Sequence, residues 1–317
     1  MRHHLPDEVK AAIDRSVRVE YWTLFWLATI VVLMYLVTGS SQAMKTAWIE
    51  DCLSLVPAAL FILSARMERL KPTRRFPYGF HRVGSLAFFG AACTLFVMGA
   101  FLLYESILAL AARDHPTIGT VSIFGWRIWM GWLMIPTLIY SVIPPVILGR
   151  MKRPLASRIN DKILYTDADM NAADWHTGAA GVLGIAGVAY GLWWADSAAA
   201  ALISFSILKD GIKNSRVAIA ELLDGAPREV GSTGISPDID RLKELVADDD
   251  RVEMRVRETG RYMRAVISPT DQHALSAEKG SAALGENYWR IVEISVGADC
   301  PPDVLAKLQR MDDDRER

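Results

Sequence analysis

The feature that most constrains this chain is a series of long apolar stretches in its first two thirds. A transmembrane helix needs about 20 mostly apolar residues, and six stretches approach or exceed that requirement. They are Tyr21–Val37, Thr46–Ala65, Val83–Ala112, Trp129–Gly149, Lys162–Trp194 and Ala195–Leu208. The last two are expected to form a hairpin, with Asp196 as the N-cap of the final helix. The pattern predicts an α-helical membrane protein with six transmembrane helices.

Charged residues are distributed unevenly along the chain. They make up 22% of the 317 residues, but they are sparse between 21 and 208 and dense from Lys209 onward. We therefore predict a cytoplasmic N-terminal segment (1–20), a membrane domain (21–208) and a soluble domain with a polar tail (209–317). The formal net charge of −1 indicates no nucleic-acid partner. Three widely spaced cysteines indicate neither a disulfide framework nor a cysteine-rich metal site.

Basic residues predict which connections face the cytoplasm. They cluster in 66–82, between the second and third stretches, and in 150–162, between the fourth and fifth, whereas the other connections hold few. Lysine and arginine are concentrated in the cytoplasmic loops of membrane proteins. Both termini, and with them the soluble domain, are therefore expected in the cytoplasm. An even number of membrane helices, which puts both termini on the same side, agrees with this.

Two groups of carboxylates lie inside the apolar stretches: Glu50 and Asp51 in the second, and Asp167, Asp169 and Asp174 in the fifth. An ionised carboxylate deep in a bilayer costs at least about 2.5–3.5 kcal/mol, so such residues commonly mark an ion pathway. At a helical rise of about 1.5 Å per residue, Asp51 and Asp174 both lie about 10–12 Å below the outer edge of the membrane core. Antiparallel helices would thus present these two carboxylates to one cation.

Helical periodicity predicts which residues accompany Asp174. A step of about 100° per residue puts Asp167, Met170 and Asn171 on roughly the same face as Asp174, and it turns Asp169 away. Oxygen donors on this face can add to the coordination that Asp51 and Asp174 provide. The predicted metal-binding residues are Asp51, Asp174, Glu50, Asn171 and Asp167.

Several of these side chains have a structural alternative. Glu50 or Asp51 would reach the outer interface if the second helix began later in the sequence. Asp167 and Asp169 would serve as capping or interfacial groups near the cytoplasmic end of the fifth helix, and for Asp169 this is the better interpretation. His176 is interpreted as a packing or interfacial histidine. Asp174 has the weakest alternative, because a charge twelve residues into a helix that begins at Lys162 needs a partner.

Four local segments carry further signatures. They are SSQAMKTAWIEDCLSL (40–55), FPYGFHR (76–82), DMNAADWHTG (169–178) and the stretch 195–227 that ends in ELLDGAP. In this order they resemble segments of the cation diffusion facilitator family, and the resemblance covers the chain from about 21 to 296. It implies six membrane helices and metal transport. It also implies a pair of metal ligands, four residues apart, on the second helix and another pair on the fifth.

The ligand pairs depart from the pattern of that family. If Asp51 is the second member of its pair, Ala47 stands at the first position. If Asp174 is the second member of its pair, Met170 stands at the first. A different register makes Asp51 the first member and Leu55 the second. Oxygen donors without histidine suit hard cations, so manganese or iron fits the transported ion at least as well as zinc. The divalent metal is expected as the substrate, with no resident cofactor.

The C-terminal third predicts a small α+β domain. A helix is expected over Asp238–Ala247, and strands over Val252–Arg257, Arg261–Ser268 and Trp289–Val296, with a hairpin turn at Thr259-Gly260. The order α-β-β-α-β is compatible with a ferredoxin-like module. In the family that the chain resembles, such a module dimerises. A homodimer is therefore expected.

Three functions of different classes compete. The leading hypothesis is secondary active export of a divalent cation from the cytoplasm in exchange for protons, because protonation of a carboxylate releases its metal. The alternative is a non-transporting membrane partner or sensor that has lost part of the metal site, as Ala47 and Met170 suggest. An enzyme is disfavoured, since the sequence shows no nucleophile–base pair or metal-hydrolase motif. The expected partners are the metal ion, protons, membrane lipid and a second copy of the chain.

Overall fold

Six long helices make up the first unit of the structure, residues 6–223. They are α1 (Asp7–Val37), α2 (Gln42–Met67), α3 (Val83–Ala112), α4 (Gly131–Ile159), α5 (Lys162–Ala189) and α6 (Ala195–Leu222). Each apolar stretch thus forms one helix, and α3 has the predicted bounds. This computed structural model describes residues 5–115, 118–123, 126–232, 234–244, 253–268 and 284–296.

Helix boundaries differ from the predicted domain boundaries at both ends of this unit. The first helix begins at Asp7, so most of the predicted N-terminal segment 1–20 is part of α1. The predicted boundary at 208/209 lies inside α6, and the division between the two units follows Leu223. The charged residues after Lys209 therefore begin on the same helix as the apolar ones. Along the chain, the change from apolar to charged composition therefore comes before the end of the helix.

Four of the helices, α1 to α4, are long and apolar enough to cross a membrane. Their outward surface is rich in large apolar side chains, such as Tyr35 (68% exposed), Leu86 (62%), Val97 (60%) and Trp132 (68%). A surface of this kind is unfavourable in water and suits a lipid environment. The inward faces form apolar clusters that join the helices to each other.

Close packing between helices depends on glycines. A Cβ at Gly99 of α3 would lie 2.6 Å from the backbone N of Leu208, and one at Gly211 of α6 would lie 2.5 Å from that of Phe96. Helices α3 and α6 therefore pack backbone to backbone, as small residues permit in membrane proteins. No residue with a side chain fits at these two positions without separating the helices.

Four glycines of α5 serve the same purpose. A Cβ at Gly178 or Gly181 would meet side chains of α4 at 2.3 and 3.0 Å, and one at Gly184 or Gly187 would meet side chains of α6 at 2.8 and 2.3 Å. Gly191 has a different role. It follows α5, has a φ of +84°, and has nothing within 4 Å of its ideal Cβ, so it serves the turn.

Asp196 is not the N-cap of α6, contrary to the prediction. The capping position belongs to Trp194, and Asp196 lies in the first turn. Its buried carboxylate instead accepts hydrogen bonds from the hydroxyl of Ser41 (2.6 Å) and from the backbone N–H groups of Gln42 (2.6 Å) and Ala43 (3.3 Å). One carboxylate at the start of α6 therefore satisfies two of the free N–H groups at the start of α2, and the hydroxyl of Ser41 accepts from a third, that of Met44.

A short β-hairpin joins α3 to α4 and was not predicted. Strands β1 (Thr120–Ile123) and β2 (Trp126–Trp129) are antiparallel, with Thr120 opposite Trp129. Trp129, expected to begin the fourth helix, is the last residue of β2. The helix itself begins two residues later, at Gly131.

The second unit contains a three-stranded sheet. Its elements are α7 (Asp238–Glu244), β3 (Glu253–Thr259), β4 (Tyr262–Ser268), a 3₁₀ helix (Gly285–Arg290) and β5 (Ile291–Val296). The strand order is β3-β4-β5, with β4 antiparallel to β3 and parallel to β5. Leu242, Met263 and Ile291 belong to the core between α7 and the sheet.

The predicted α+β order is confirmed for the elements that the structure describes. The hairpin turn lies one residue later than expected, at Gly260 and Arg261, because Thr259 still pairs with Tyr262. Residues 245–247 of the predicted first helix, Val252 and the expected second helix lie outside the described residues.

Candidate metal site

Helices α2, α4 and α5 position the predicted residues. Helix α2 carries Glu50 and Asp51, and it packs against α5, which carries the remaining candidates. On the other side of α5, Gly149 of α4 allows a close approach: its Cβ would lie 2.7 Å from the carbonyl oxygen of Ala168. The carboxylates of α5 are thus held between two helices.

Glu50 and Asp51 of α2 and Asp174 of α5 lie on two helices that pack against each other. Thr177, one turn beyond Asp174, donates a hydrogen bond to Oε1 of Glu50 at 3.2 Å. The hydrogen bond brings the Glu50 side chain to the part of α5 that carries Asp174. We call these three residues the carboxylate cluster.

Two oxygen atoms of this cluster are buried without a hydrogen-bond donor among the described residues. They are Oε2 of Glu50 and Oδ2 of Asp51. Buried polar atoms are almost always hydrogen-bonded, since leaving one unsatisfied costs about 1–3 kcal/mol. A proton or a cation on these oxygens would remove that cost.

Ala47 and Met170 stand where the resembled family has ligands, and both pack in apolar surroundings. Ala47 is buried in a cluster with Met34 and Met134. Met170 packs against the cluster that contains Leu53. If Asp51 is instead the first member of its pair, Leu55 is the second. This register gives no better ligand, because Leu55 packs against the same apolar cluster as Ala47. Both positions of the missing ligands are therefore filled by the hydrophobic core.

Asp167 has a different partner from the one predicted. Its carboxylate forms an ion pair with Lys152 of α4, and Lys152 also contacts Oε2 of Glu20 on α1 at 3.4 Å. All three side chains are buried. Asn171 donates a hydrogen bond to Asp167 at 3.3 Å, while its own Oδ1 has no donor among the described residues. We call Glu20, Lys152 and Asp167 the buried triad.

Sequence reasoning missed two members of this triad. Lys152 was counted only as one of the basic residues of 150–162, and Glu20 lay at the end of the predicted N-terminal segment 1–20. A signal was present for Glu20: thirteen residues into α1, which begins at Asp7, it precedes a run of mostly aromatic and aliphatic residues. The signal was hidden because α1 was expected to begin at Tyr21.

Asp169 and His176 lie apart from the carboxylate cluster. Asp169 is 40% exposed and pairs with Arg153 of α4, in agreement with an interfacial position off the shared face. His176 is exposed, and its ring lies against that of Trp175, with 3.7 Å between the centroids. Across the described ranges, no three His, Cys, Asp or Glu side chains are arranged to hold one metal ion. Metal binding by the carboxylate cluster would thus need the side chains to converge, or water to complete the coordination.

Comparisons with known proteins agree with this architecture. Residues 21–223 match the family model of the cation efflux transmembrane domain. A relative from Schizosaccharomyces pombe, described as an uncharacterised metal transporter, is 27% identical over 168 residues, which is 50% of this chain and 42% of that protein. The chain therefore matches less than half the length of this relative. The matched region of the family model begins within α1 and ends at the residue that follows α6.

Proposed function

Since this chain belongs to the cation efflux family of cation diffusion facilitators, we propose that it is a secondary active transporter that exports a divalent metal cation from the cytoplasm in exchange for protons. The observation that supports the proposal is the carboxylate cluster: Glu50 and Asp51 on α2 and Asp174 on α5 lie on two packed helices, and Glu50 is hydrogen-bonded one turn beyond Asp174. A transporter of a cation needs such a group of charges inside the membrane.

All six helices are proposed to cross the membrane, with both termini in the cytoplasm. Helices α1 to α4 have the composition for it. Helices α5 and α6 carry more polar residues, but their outward surface is also apolar, as Leu183 (71% exposed) and Leu202 (68%) indicate. The basic segments 66–82 and 150–162 support the orientation.

The proposed ion is bound by oxygen atoms. Asp51 and Asp174 are the principal ligands, Glu50 is auxiliary, and Asn171 can offer its free Oδ1. Such donors suit Mn²⁺ and Fe²⁺ as well as Zn²⁺. Asp167 is a poorer candidate than the sequence suggested, because Lys152 already neutralises its carboxylate. Metal and protons compete for the same oxygens, so binding of one displaces the other.

A homodimer is part of the proposal. The second unit has a folded core of its own, and α6 leads directly into it along the chain. Two-fold homodimers are the commonest oligomers. Purified protein that stays monomeric at micromolar concentration, both with and without the residues beyond Arg228, would contradict this part.

The test is metal flux in reconstituted vesicles with variants of the cluster. Asp51→Ala and Asp174→Ala should each abolish metal-dependent transport while expression remains normal. Asp169→Ala is the matched control: it removes a carboxylate from the same helix, but an exposed one, and should leave transport nearly unchanged. Glu50→Ala and Asn171→Ala should weaken metal binding to a smaller extent. Acidification of the cytoplasmic side should slow transport, because protonated carboxylates do not hold the ion.

The same experiment decides against the proposal if wild-type vesicles move none of Mn²⁺, Fe²⁺, Zn²⁺, Co²⁺ or Mg²⁺ and the Asp51 and Asp174 variants behave like the wild type. The chain would then be a non-transporting membrane partner or sensor, the alternative that Ala47 and Met170 suggested.

A further inference from the structure

A cavity separate from the carboxylate cluster lies where the end of α4 meets the start of α5. It opens at the protein surface and has a volume of about 550 Å³. Its lining residues are Arg150, Arg153, Pro154, Ser157 and Tyr165. The first four of these follow one face of α4, at spacings of three and four residues. Tyr165 closes the cavity from α5. Its lining is thus basic on one side and aromatic on the other.

The two arginines differ in how their charge is used. Arg153 pairs with Asp169, and its guanidinium lies over the ring of Tyr165, 5.8 Å from the centroid. Arg150 is exposed and has no acidic partner among the described residues. With one arginine paired and one unpaired, the cavity carries one excess positive charge. An anionic group with several acceptor oxygens, such as a phosphate, complements that charge and the N–H donors of a guanidinium.

A stripe of exposed apolar side chains on α4 leads to this cavity. Ile139, Ile143, Ile147 and Met151 recur every four residues, and each is about half exposed: 52%, 52%, 55% and 46%. Ile147 lies one turn before Arg150 on the same helix face, whereas Met151, the next residue after Arg150, lies at the side of the cavity. The surface therefore changes, along one face of one helix, from an aliphatic track to a basic cavity.

We propose that this cavity binds the phosphate of an anionic phospholipid, with an acyl chain along the stripe from Ile139 to Met151. The juxtaposition of a basic cavity with a continuous aliphatic track fits a lipid better than a soluble phosphate ester, for which the track would have no use. Basic cavities between membrane helices, on the cytoplasmic side, are suited to lipid headgroups. Because the cavity is separate from the carboxylate cluster, lipid binding there is independent of which ion is transported.

The test compares lipid binding to the detergent-purified full-length protein by native mass spectrometry. Phosphatidylglycerol should bind the wild type in a saturable way and more tightly than phosphatidylcholine. Arg150→Gln should weaken phosphatidylglycerol binding about fivefold, the size expected for one arginine near a lipid surface. The fold should be unaffected, because Arg150 is exposed and has no acidic partner among the residues that the structure describes. Arg150→Gln combined with Arg153→Gln should remove the preference over phosphatidylcholine.

Arg74→Gln is the matched control, since it removes an exposed arginine of the other basic segment, 66–82. Its phosphatidylglycerol affinity should equal that of the wild type. An equal loss in Arg74→Gln and Arg150→Gln would overturn the site, because general attraction between basic protein and acidic lipid would then explain the binding. Displacement of phosphatidylglycerol by glycerol 3-phosphate at similar concentration would overturn the assignment to a lipid. No preference for phosphatidylglycerol in the wild type would overturn both.

Discussion

The buried triad provides the sharpest test of how this bundle is held together. Lys152 is fully buried between Glu20 of α1 and Asp167 of α5, so a single ammonium group links three helices. Replacing it by methionine conserves most of its volume and removes the charge. Two carboxylates then remain buried without a cation.

The burial of these charges determines how much unfolding free energy Lys152→Met is expected to cost. Removing one partner of a buried ion pair costs about 3–5 kcal/mol, because the remaining charge is left uncompensated. For a unit of this size each kcal/mol corresponds to about 2–4 °C in the unfolding midpoint, so Lys152→Met should lower it by about 6–20 °C. Lys45→Met is the matched control. The ion pair of Lys45 with Glu105 is partly exposed (39% and 33%) and should contribute at most about 1 kcal/mol.

The assay is thermal unfolding of the detergent-purified protein, followed by intrinsic tryptophan fluorescence. A third variant separates the charge effect from the packing effect: Glu20→Gln, Lys152→Met and Asp167→Asn together remove all three charges. This variant should recover most of the stability that Lys152→Met alone loses, since neutral buried groups can replace an ion pair at little cost. If Lys152→Met costs no more than Lys45→Met, or if the neutral variant is no more stable than Lys152→Met, the charges of the triad do not hold the three helices together.

Three further predictions concern packing, capping and the second unit. Gly99→Ala should separate α3 from α6 and lower the unfolding midpoint in the same assay. Gly90→Ala should not lower it, because nothing lies within 4 Å of the Cβ that this change adds. Equal effects of the two substitutions would contradict the close packing. Asp196→Ala should cost about 1–2 kcal/mol and increase hydrogen exchange at the first turn of α2, not of α6. Arg290→Met removes a cation that two buried carboxylates share, so hydrogen exchange should rise throughout β3, β4 and β5. Exchange confined to the 3₁₀ helix would show that the ion pairs are local.

Much of the fold was predictable, because apolar length and turn residues are local signals. All six helices were placed, and α3 was placed with its bounds, since Arg82 and Arg113 interrupt the apolar run at both ends. The end of α6 was not predictable from composition, because a helix can leave an apolar environment without ending. The start of α1 was missed for the same reason.

The candidate site was predictable only in part. The similar depths of Asp51 and Asp174 followed from the position of each residue in its own helix, and α2 and α5 do pack against each other. The pairing of Asp167 with Lys152 did not follow in this way, because it depends on how α4 packs against α5, and Gly149 fixes that contact through its missing side chain. Helical periodicity placed Asp167 on the face of Asp174, but it could not show that another helix would supply a cation to the same face.

The capping of α2 by Asp196 connects two distant parts of the chain mechanically. The carboxylate fixes the first turn of α2, and Asp51 lies nine residues beyond Gln42 on the same helix, about 14 Å along its axis. A helix moves along its axis as a nearly rigid body. A rotation or translation of α6 at Asp196 would therefore shift α2 and change the depth of Asp51. Asp196, which closes the start of α2, would thereby also influence the depth of Asp51 on the same helix.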